Sequence, residues 1–209
     1  YDCDGTPSSW DESTYDENGC QLTSVSYDED GAVMWRWEYE YDTSGNKVKS
    51  LYYDDGEDTL SGWSEYKYDS QGNEVERRDY DENDVLENVA RREYDEAGNE
   101  VLFQYYDGEE ELDSWTEYEY DDQGNEISSN GYEADGTLSD WSETAYDDHG
   151  YSVSHTWTYS PEEEDSYHTY IYQNEYDEDG YIIRRTFYSD GDLRSVTEYQ
   201  VLEVPTAPG

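Results

Sequence analysis

The sequence predicts an all-β fold, a tandem-repeat antiparallel meander of about seven two-stranded units that forms one long curled or spiralling, solenoid-like sheet. A Tyr-Asp-x-x-Gly string recurs seven times at steps of 26 to 30 residues, and such regularity within one chain does not arise by chance. No stretch shows helical periodicity. Low aliphatic content and a net charge of −46 would otherwise predict disorder. However, 26 Tyr and 7 Trp supply the missing apolar area and favour strands.

Each unit is predicted to run strand, tight turn, strand and looser turn, and the units start near residues 10, 36, 63, 89, 115, 141 and 171. Asp at the first position of a type I turn caps the turn with its side chain, and Gly at the fourth supplies a left-handed backbone conformation. The Asp-x-x-Gly string therefore predicts a hairpin tip. The predicted turn residues include Asp42 and Gly45, Asp69 and Gly72, Asp95 and Gly98, Asp121 and Gly124, and Asp147 and Gly150.

A four-residue loop also predicts the register of each hairpin. Lys67 then faces Glu74 in a cross-strand ion pair, and Tyr66 faces Val75. Because strand side chains alternate, the tyrosines fall on one face and the glutamates on the other. We interpret the tyrosine face as buried and the glutamate face as solvated.

Residues 1–203 are predicted to form a single repeat domain, and 204–209 the start of a C-terminal linker, since Pro205 and Pro208 fall there. Cys3 and Cys20 are the two cysteines. A disulfide between them indicates an oxidising compartment, and two free thiols are the alternative. No apolar run approaches the ~20 residues of a membrane span. We therefore expect an extracellular or cell-surface protein without membrane insertion.

The net negative charge excludes nucleic acids and anionic lipid surfaces as partners. A protein binds either of them through clustered Lys and Arg side chains. The acidic turns are too short to supply the six to eight oxygens of a specific calcium site, so only weak, non-specific Ca²⁺ association is expected. His149, His155 and His168 lack zinc-ligand spacing. No carboxylate pair stands out as catalytic. The sequence thus predicts no cofactor, no bound metal and no enzymatic activity.

The remaining functional candidate is a rim of aromatic residues beside the looser turns. Exposed aromatic patches often mark binding sites, so the rim is a candidate platform for sugar rings or a partner protein. Cross-strand pairs that only stabilise the sheet are the alternative. The rim residues are Trp63, Trp115, Trp141, Tyr106 and Tyr132.

The string Tyr-Asp-Ser-Gln-Gly-Asn-Glu-Val at residues 68–75, with its counterparts at 94–101 and 120–127, resembles the YD repeats of RHS-type secreted bacterial proteins. The resemblance implies a spiralling β-sheet in a bacterial surface or secreted protein, often associated with carbohydrate or cell-surface contact. The period here is longer, and the chain is too short to wrap a shell around a toxin. A weaker likeness, through Trp-x-x-Tyr-x-Tyr-Asp, is to choline-binding cell-wall repeats.

These observations together predict a non-enzymatic extracellular repeat module of a bacterial surface or secreted protein. It would bind a glycan or a protein through the aromatic rim. A structural stalk or spacer without a ligand of its own is the alternative.

Overall fold

The computed structural model describes residues 8–54, 59–159 and 166–199. They form 15 antiparallel strands in one sheet, in which each strand lies between its neighbours in the sequence. The all-β meander predicted from the sequence is confirmed. The strands are β1 (Ser9–Tyr15), β2 (Gln21–Asp28), β3 (Val33–Tyr41), β4 (Lys47–Asp54), β5 (Leu60–Tyr68), β6 (Glu74–Asp81), β7 (Leu86–Tyr94), β8 (Glu100–Asp107), β9 (Leu112–Tyr120), β10 (Glu126–Glu133), β11 (Leu138–Tyr146), β12 (Ser152–Thr158), β13 (His168–Tyr176), β14 (Ile182–Ser189) and β15 (Asp192–Glu198).

The tight turns have the chemistry that the repeated Asp and Gly predict. In the turn between β5 and β6, Asp69 Oδ1 accepts the backbone N–H groups of Gln71 at 2.8 Å and Asn73 at 2.9 Å. The N–H of Gly72 donates to the Asp69 carbonyl at 3.3 Å. Gly72 has a φ of +92°, in the left-handed region that favours glycine. Asp closes the turn and Gly turns the chain back.

The predicted register is wrong. Lys67 lies opposite Glu76, and Tyr66 lies opposite Arg77. The Asp69 N–H donates to the Asn73 carbonyl at 2.9 Å, so the turn includes five residues, 69–73, rather than four. The pairing shifts again between Lys67 and Tyr68, which moves the partners one residue further. The charge pair survives with a different acid, because the Lys67 Nζ lies 2.6 Å from Glu76 Oε1.

The second turns that begin at Asp28, Asp81 and Asp107, predicted to be looser, repeat the same hydrogen bonds. Asp81 Oδ1 accepts the N–H groups of Asn83 and Val85, at 2.8 and 2.9 Å. The left-handed position is occupied by Asp84 in the turn after β6, with a φ of 62°. In the equivalent turn of the next repeat it is occupied by Glu110, with a φ of 60°. A non-glycine residue in this conformation is uncommon. These two turns therefore present a carboxylate where the tight turns present glycine.

Burial is divided between the two faces of the sheet. Among the described apolar residues, Val89 and Ala90 are the two that are buried. Val89 belongs to the face that the sequence predicted to be solvated, yet its exposed fraction is 0 %. It lies between Arg78 on β6 and Tyr106 on β8, whose long side chains flank it. Tyr66, on the face predicted to be buried, is half-buried. The division into one buried and one solvated face is therefore wrong.

Apart from its two-stranded repeats, the chain divides into two larger compact units. They are called unit one (residues 1–115) and unit two (116–209). The single domain over 1–203 stays a prediction. The linker at 204–209 lies outside the described residues, as does Cys3. No described helix is long and apolar enough to cross a membrane.

Candidate functional site

The tyrosine of the repeated motif joins each repeat to the preceding one. In unit one, the Tyr68 hydroxyl donates to the backbone carbonyl of Lys47 at 2.8 Å, and Tyr94 donates to that of Glu74 at 2.9 Å. In both bonds the acceptor stands six residues after the preceding motif tyrosine. Burial raises the pKa of the Tyr68 and Tyr94 hydroxyls, so they remain protonated donors. The same bond links Tyr41 to Gln21 at 2.9 Å and, in unit two, Tyr146 to Glu126 at 3.1 Å.

The last repeat departs from this pattern. The Tyr176 hydroxyl donates to the Asp147 carboxylate instead of to a backbone carbonyl. Asn174 Nδ2 donates to the same carboxylate oxygen at 3.2 Å, and the His149 ring stacks on Tyr176 with centroids 4.1 Å apart. The step between these two motifs is 30 residues rather than 26 or 27. The longer step between the repeats therefore coincides with a different acceptor for the hydroxyl of the motif tyrosine.

The turn carboxylates are engaged by their own turns. The pKa of Asp69 lies below its ordinary value, chiefly because the Asn73 backbone N–H donates to it. The pKa of Asp95 is lowered first by the Asn99 side-chain amide, which donates at 2.9 Å. In the described parts of the chain, no group of three or more His, Cys, Asp or Glu is arranged to hold a metal ion. The turn acids therefore stabilise the folded hairpins.

Trp63, the first rim residue, is covered by its own chain. Its ring stacks on Tyr80 of β6 with centroids 4.0 Å apart and planes 8° apart. Lys49 Nζ of β4 lies 4.1 Å from the ring centroid. Two groups at this distance cannot share one ring face, so both faces are occupied. The indole N–H donates to Asp84 Oδ1 at 3.0 Å. A sugar ring would have to displace Tyr80 or Lys49 to stack on Trp63.

The other rim residues are half-buried. In unit one, the Arg91 guanidinium lies 4.6 Å from the ring centroid of Tyr106. In unit two, the Trp141 ring lies 5.8 Å from that of Tyr167. Trp115 and Tyr132 are half-buried as well. Use of the rim as a ligand platform stays a prediction.

An ion-pair network that joins β5, β6 and β7 to the turn after β8 in unit one was not foreseen from the sequence. The Glu76 carboxylate accepts hydrogen bonds from Lys67, Arg78 and Arg91 at 2.6, 2.9 and 3.0 Å. Arg78 and Arg91 also each reach Glu110 at 3.0 Å. Burial alone would raise the pKa of Glu76, but these three donors lower it to about 2. The doublets at 77–78 and 91–92, in a chain with 11 Lys and Arg, were the available signal.

Unit two contains an aromatic groove on β10 to β13 with a volume of about 470 Å³. Its central ring is Trp157, which contacts His155 at 5.0 Å, His168 at 5.3 Å and Tyr170 at 4.6 Å between centroids. Of the groove residues, the sequence-based prediction of the rim included Trp141 alone. The alternating rings at 155 and 157, and at 168 and 170, were the signal for the rest. The groove is lined by Ser129, Asp140, Trp141, Ser142, His155, Trp157, Tyr159 and Tyr170.

Cys20 is half-buried and carries a free thiol in the structure. It lies in a cleft of about 350 Å³ that Asp16, Tyr41 and Asp42 also line. Its predicted partner, Cys3, is outside the described residues. The disulfide therefore stays a prediction.

Comparison with known proteins supports the resemblance seen in the motifs. Residues 15–58 match the family model RHS Repeat. The crystal structure of TcdB2-TccC3-Cdc42 matches at a TM-score of 0.56 and 18 % identity, covering 90 % of this chain and 10 % of that one. The Photorhabdus luminescens Tc holotoxin pore matches at 0.56 and 18 %, covering 90 % and 9 %. The sequence matches none of the curated proteins with which it was compared.

At this level of identity the solved structures show the fold alone, and the chain spans about a tenth of the length of the proteins that it matches. The matched segment at 15–58 includes two of the seven Tyr-Asp-x-x-Gly strings, at Tyr15 and Tyr41. The same hairpin turns and inter-repeat tyrosine bonds continue beyond it. The chain is a tandem-repeat β-protein that carries an RHS repeat, of the YD type, at residues 15–58.

Proposed function

We propose that this chain is a structural module, a stretch of continuous β-sheet wall in a larger bacterial protein that is secreted or displayed at the cell surface. It carries out no catalysis. The observation that carries the proposal is the hydroxyl of the motif tyrosine, which donates to a backbone carbonyl of the preceding repeat four times. A side chain that recurs in every repeat is thus used to couple neighbouring repeats rather than to bind a ligand.

The proposal is tested by removing single hydroxyls. Tyr68→Phe and Tyr94→Phe keep the ring and delete one inter-repeat hydrogen bond each. A buried hydrogen bond contributes about 1 kcal/mol, so each variant should lose about that much free energy of unfolding in urea. Tyr80→Phe is the matched control, because the Tyr80 ring stacks on Trp63 and none of the described contacts involves its hydroxyl.

Both variants should still unfold in a single transition shared by the repeats. A loss no greater than that of the control would contradict the coupling role. Separate unfolding transitions for different parts of the wild-type chain would also contradict the coupling role, since a wall of coupled repeats unfolds cooperatively.

Binding of a glycan or a protein through the rim is the second candidate. Trp141 favours it, because this rim residue lines the groove of unit two. Trp63 does not, because both faces of its ring are covered. A glycan-array screen of the whole chain tests the candidate, with Trp141→Ala as the loss variant and Trp63→Ala as the control. Equal binding by both variants would remove the rim as the site.

A further inference from the structure

The aromatic rings of this protein are repeatedly covered by cationic side chains. Six Lys or Arg side chains among the described residues lie over a ring, at 4.0 to 5.8 Å from its centroid. Such contacts are attractive because the ring face carries partial negative charge. They are Arg36 over Tyr53, Lys47 over Tyr39 and Tyr66, Lys49 over Trp63, Arg91 over Tyr106, Arg92 over Phe103, and Arg185 over Tyr172.

No Lys or Arg is described over the rings of the groove in unit two. The sequence holds no Lys or Arg from residue 93 to residue 183, while the same stretch holds 28 Asp and Glu. Trp157 contacts the rings of His155, His168 and Tyr170. His168 pairs with Trp157 from β13, whereas the partner of Trp157 on β11 is Ser142, a small residue that lines the groove on that side of the ring. The nearest cation in the sequence, Arg184, pairs with Glu175, and Arg185 lies over Tyr172. The groove thus combines aromatic rings with one carboxylate, and no Lys or Arg is among its lining residues.

One carboxylate lies within the groove. Asp140 lines it and pairs across the strands with Gly131, where a side chain would meet the Asp140 carboxylate at 2.4 Å. The absence of a side chain at Gly131 leaves room for this carboxylate. Tyr159, another lining residue, is 78 % exposed, so the groove is open to a partner. Aromatic rings beside a carboxylate are the chemistry that holds an ammonium or guanidinium group.

We propose that this groove is a docking site for a lysine or arginine side chain of a basic polypeptide segment. The groove supplies the ring faces and Asp140 the counter-charge, and the incoming side chain takes the place that a cation of the chain itself occupies elsewhere. The 19 Asp and Glu at residues 116–183 of unit two attract further basic residues of the same segment, which favours a polypeptide over a single small amine. The proposal goes beyond the structural role and does not depend on it.

The test titrates the whole chain with tetralysine, acetylated and amidated at its ends, in 150 mM NaCl. Trp157→Leu should weaken binding about tenfold, the effect expected for removing one partly desolvated cation–π contact. Trp63→Leu, whose ring is already covered, should bind within about twofold of wild type. Neither substitution changes the charge, so general electrostatic attraction is the same in all three proteins.

Two further measurements keep the test decisive if Trp157→Leu fails to fold. The ε-methylene protons of the bound lysines should shift upfield in the NMR spectrum with wild-type protein, because they lie over a ring. Asp140→Asn should weaken binding more than Glu143→Gln, which removes one exposed charge on the same strand. Equal affinity of both tryptophan variants, the lack of an upfield shift, or binding of neutral cellotetraose in place of the peptide would overturn the proposal.

Discussion

Glu76→Gln is the most direct test of the ion-pair network in unit one. The Glu76 side chain is 14 % exposed, and its carboxylate meets three cationic groups within 3.0 Å. The donors lower its pKa from 4.5 to about 2. That difference corresponds to about 3 kcal/mol if taken in full. The Lys67 and Glu110 side chains in the network are largely solvated, and solvent screening reduces the expected loss at pH 7 to about 1–2 kcal/mol.

The sign of the pH dependence follows from the lowered pKa. The charged carboxylate is favoured by folding, so its contribution to stability is fully present above the ordinary pKa of 4.5. It is lost as the pH falls from there towards 2, where the folded carboxyl takes up its proton. The gap in unfolding free energy between wild type and Glu76→Gln should be constant above about pH 5.5 and should close towards pH 2.

Urea unfolding from pH 2 to pH 8, followed by far-UV circular dichroism, measures this gap. Glu143→Gln is the control, because it also removes one negative charge from a strand, but its cross-strand neighbours are Ser128 and Thr156. We expect its unfolding free energy to change by less than about 0.5 kcal/mol. A gap for Glu76→Gln that is absent at pH 7, or that persists unchanged at pH 2, would refute the role assigned to the network.

Three further predictions concern the turns, the charge and the cysteines. Gly72→Ala should lower the unfolding free energy by about 1–2 kcal/mol through its left-handed backbone alone, since no atom lies within 4 Å of the added Cβ. Gly72→Asn should lose less unfolding free energy, because Asn adopts the left-handed conformation more readily than Ala. Equal losses for the two variants would contradict the left-handed backbone as the cause. Raising NaCl, MgCl₂ or CaCl₂ at matched ionic strength should raise the melting temperature by screening the acids. A flat melting temperature, or an effect of calcium alone, would contradict screening. Reduction should add two hydrogens to the intact mass if Cys3 and Cys20 are bonded.

The turns could be predicted from the sequence because their determinants are local. Asp and Gly at fixed spacing specify a turn whatever surrounds it, and the structure has that turn at every Tyr-Asp-x-x-Gly string. The register could not be predicted in the same way, since four-residue and five-residue loops both fit Asp-x-x-Gly. The Asn after the Gly, as at Asn73, adds a side-chain hydrogen bond to the turn aspartate at 3.0 Å. It does not decide the loop length, because the same five-residue turn forms with Tyr151 in that place.

The inter-repeat bonds were beyond sequence reasoning for a different reason. The Tyr94 hydroxyl binds a backbone carbonyl, and a carbonyl is present at every residue, so nothing in the sequence marks Glu74 as the acceptor. The recurrence of Tyr rather than Phe was visible. This recurrence indicates that the hydroxyl is required, but it does not identify the carbonyl that accepts its hydrogen bond. Val89 was misassigned similarly, because its burial comes from Arg78 and Tyr106 on neighbouring strands.

The distribution of charge explains how so acidic a chain folds and where it is left uncompensated. The turn aspartates accept backbone N–H groups of their own turns, so the folded hairpins stabilise their charge. Eight of the 11 cations fall within residues 36–92, where they pair with glutamates and cover rings. The stretch 93–183 contains no Lys or Arg of its own, and cations from outside it pair with its Glu100, Glu110 and Glu175. The groove around Trp157 lies within that stretch, so a basic segment bound there would relieve repulsion as well as fill the groove. Binding of such a segment and the stability of unit two should therefore rise together.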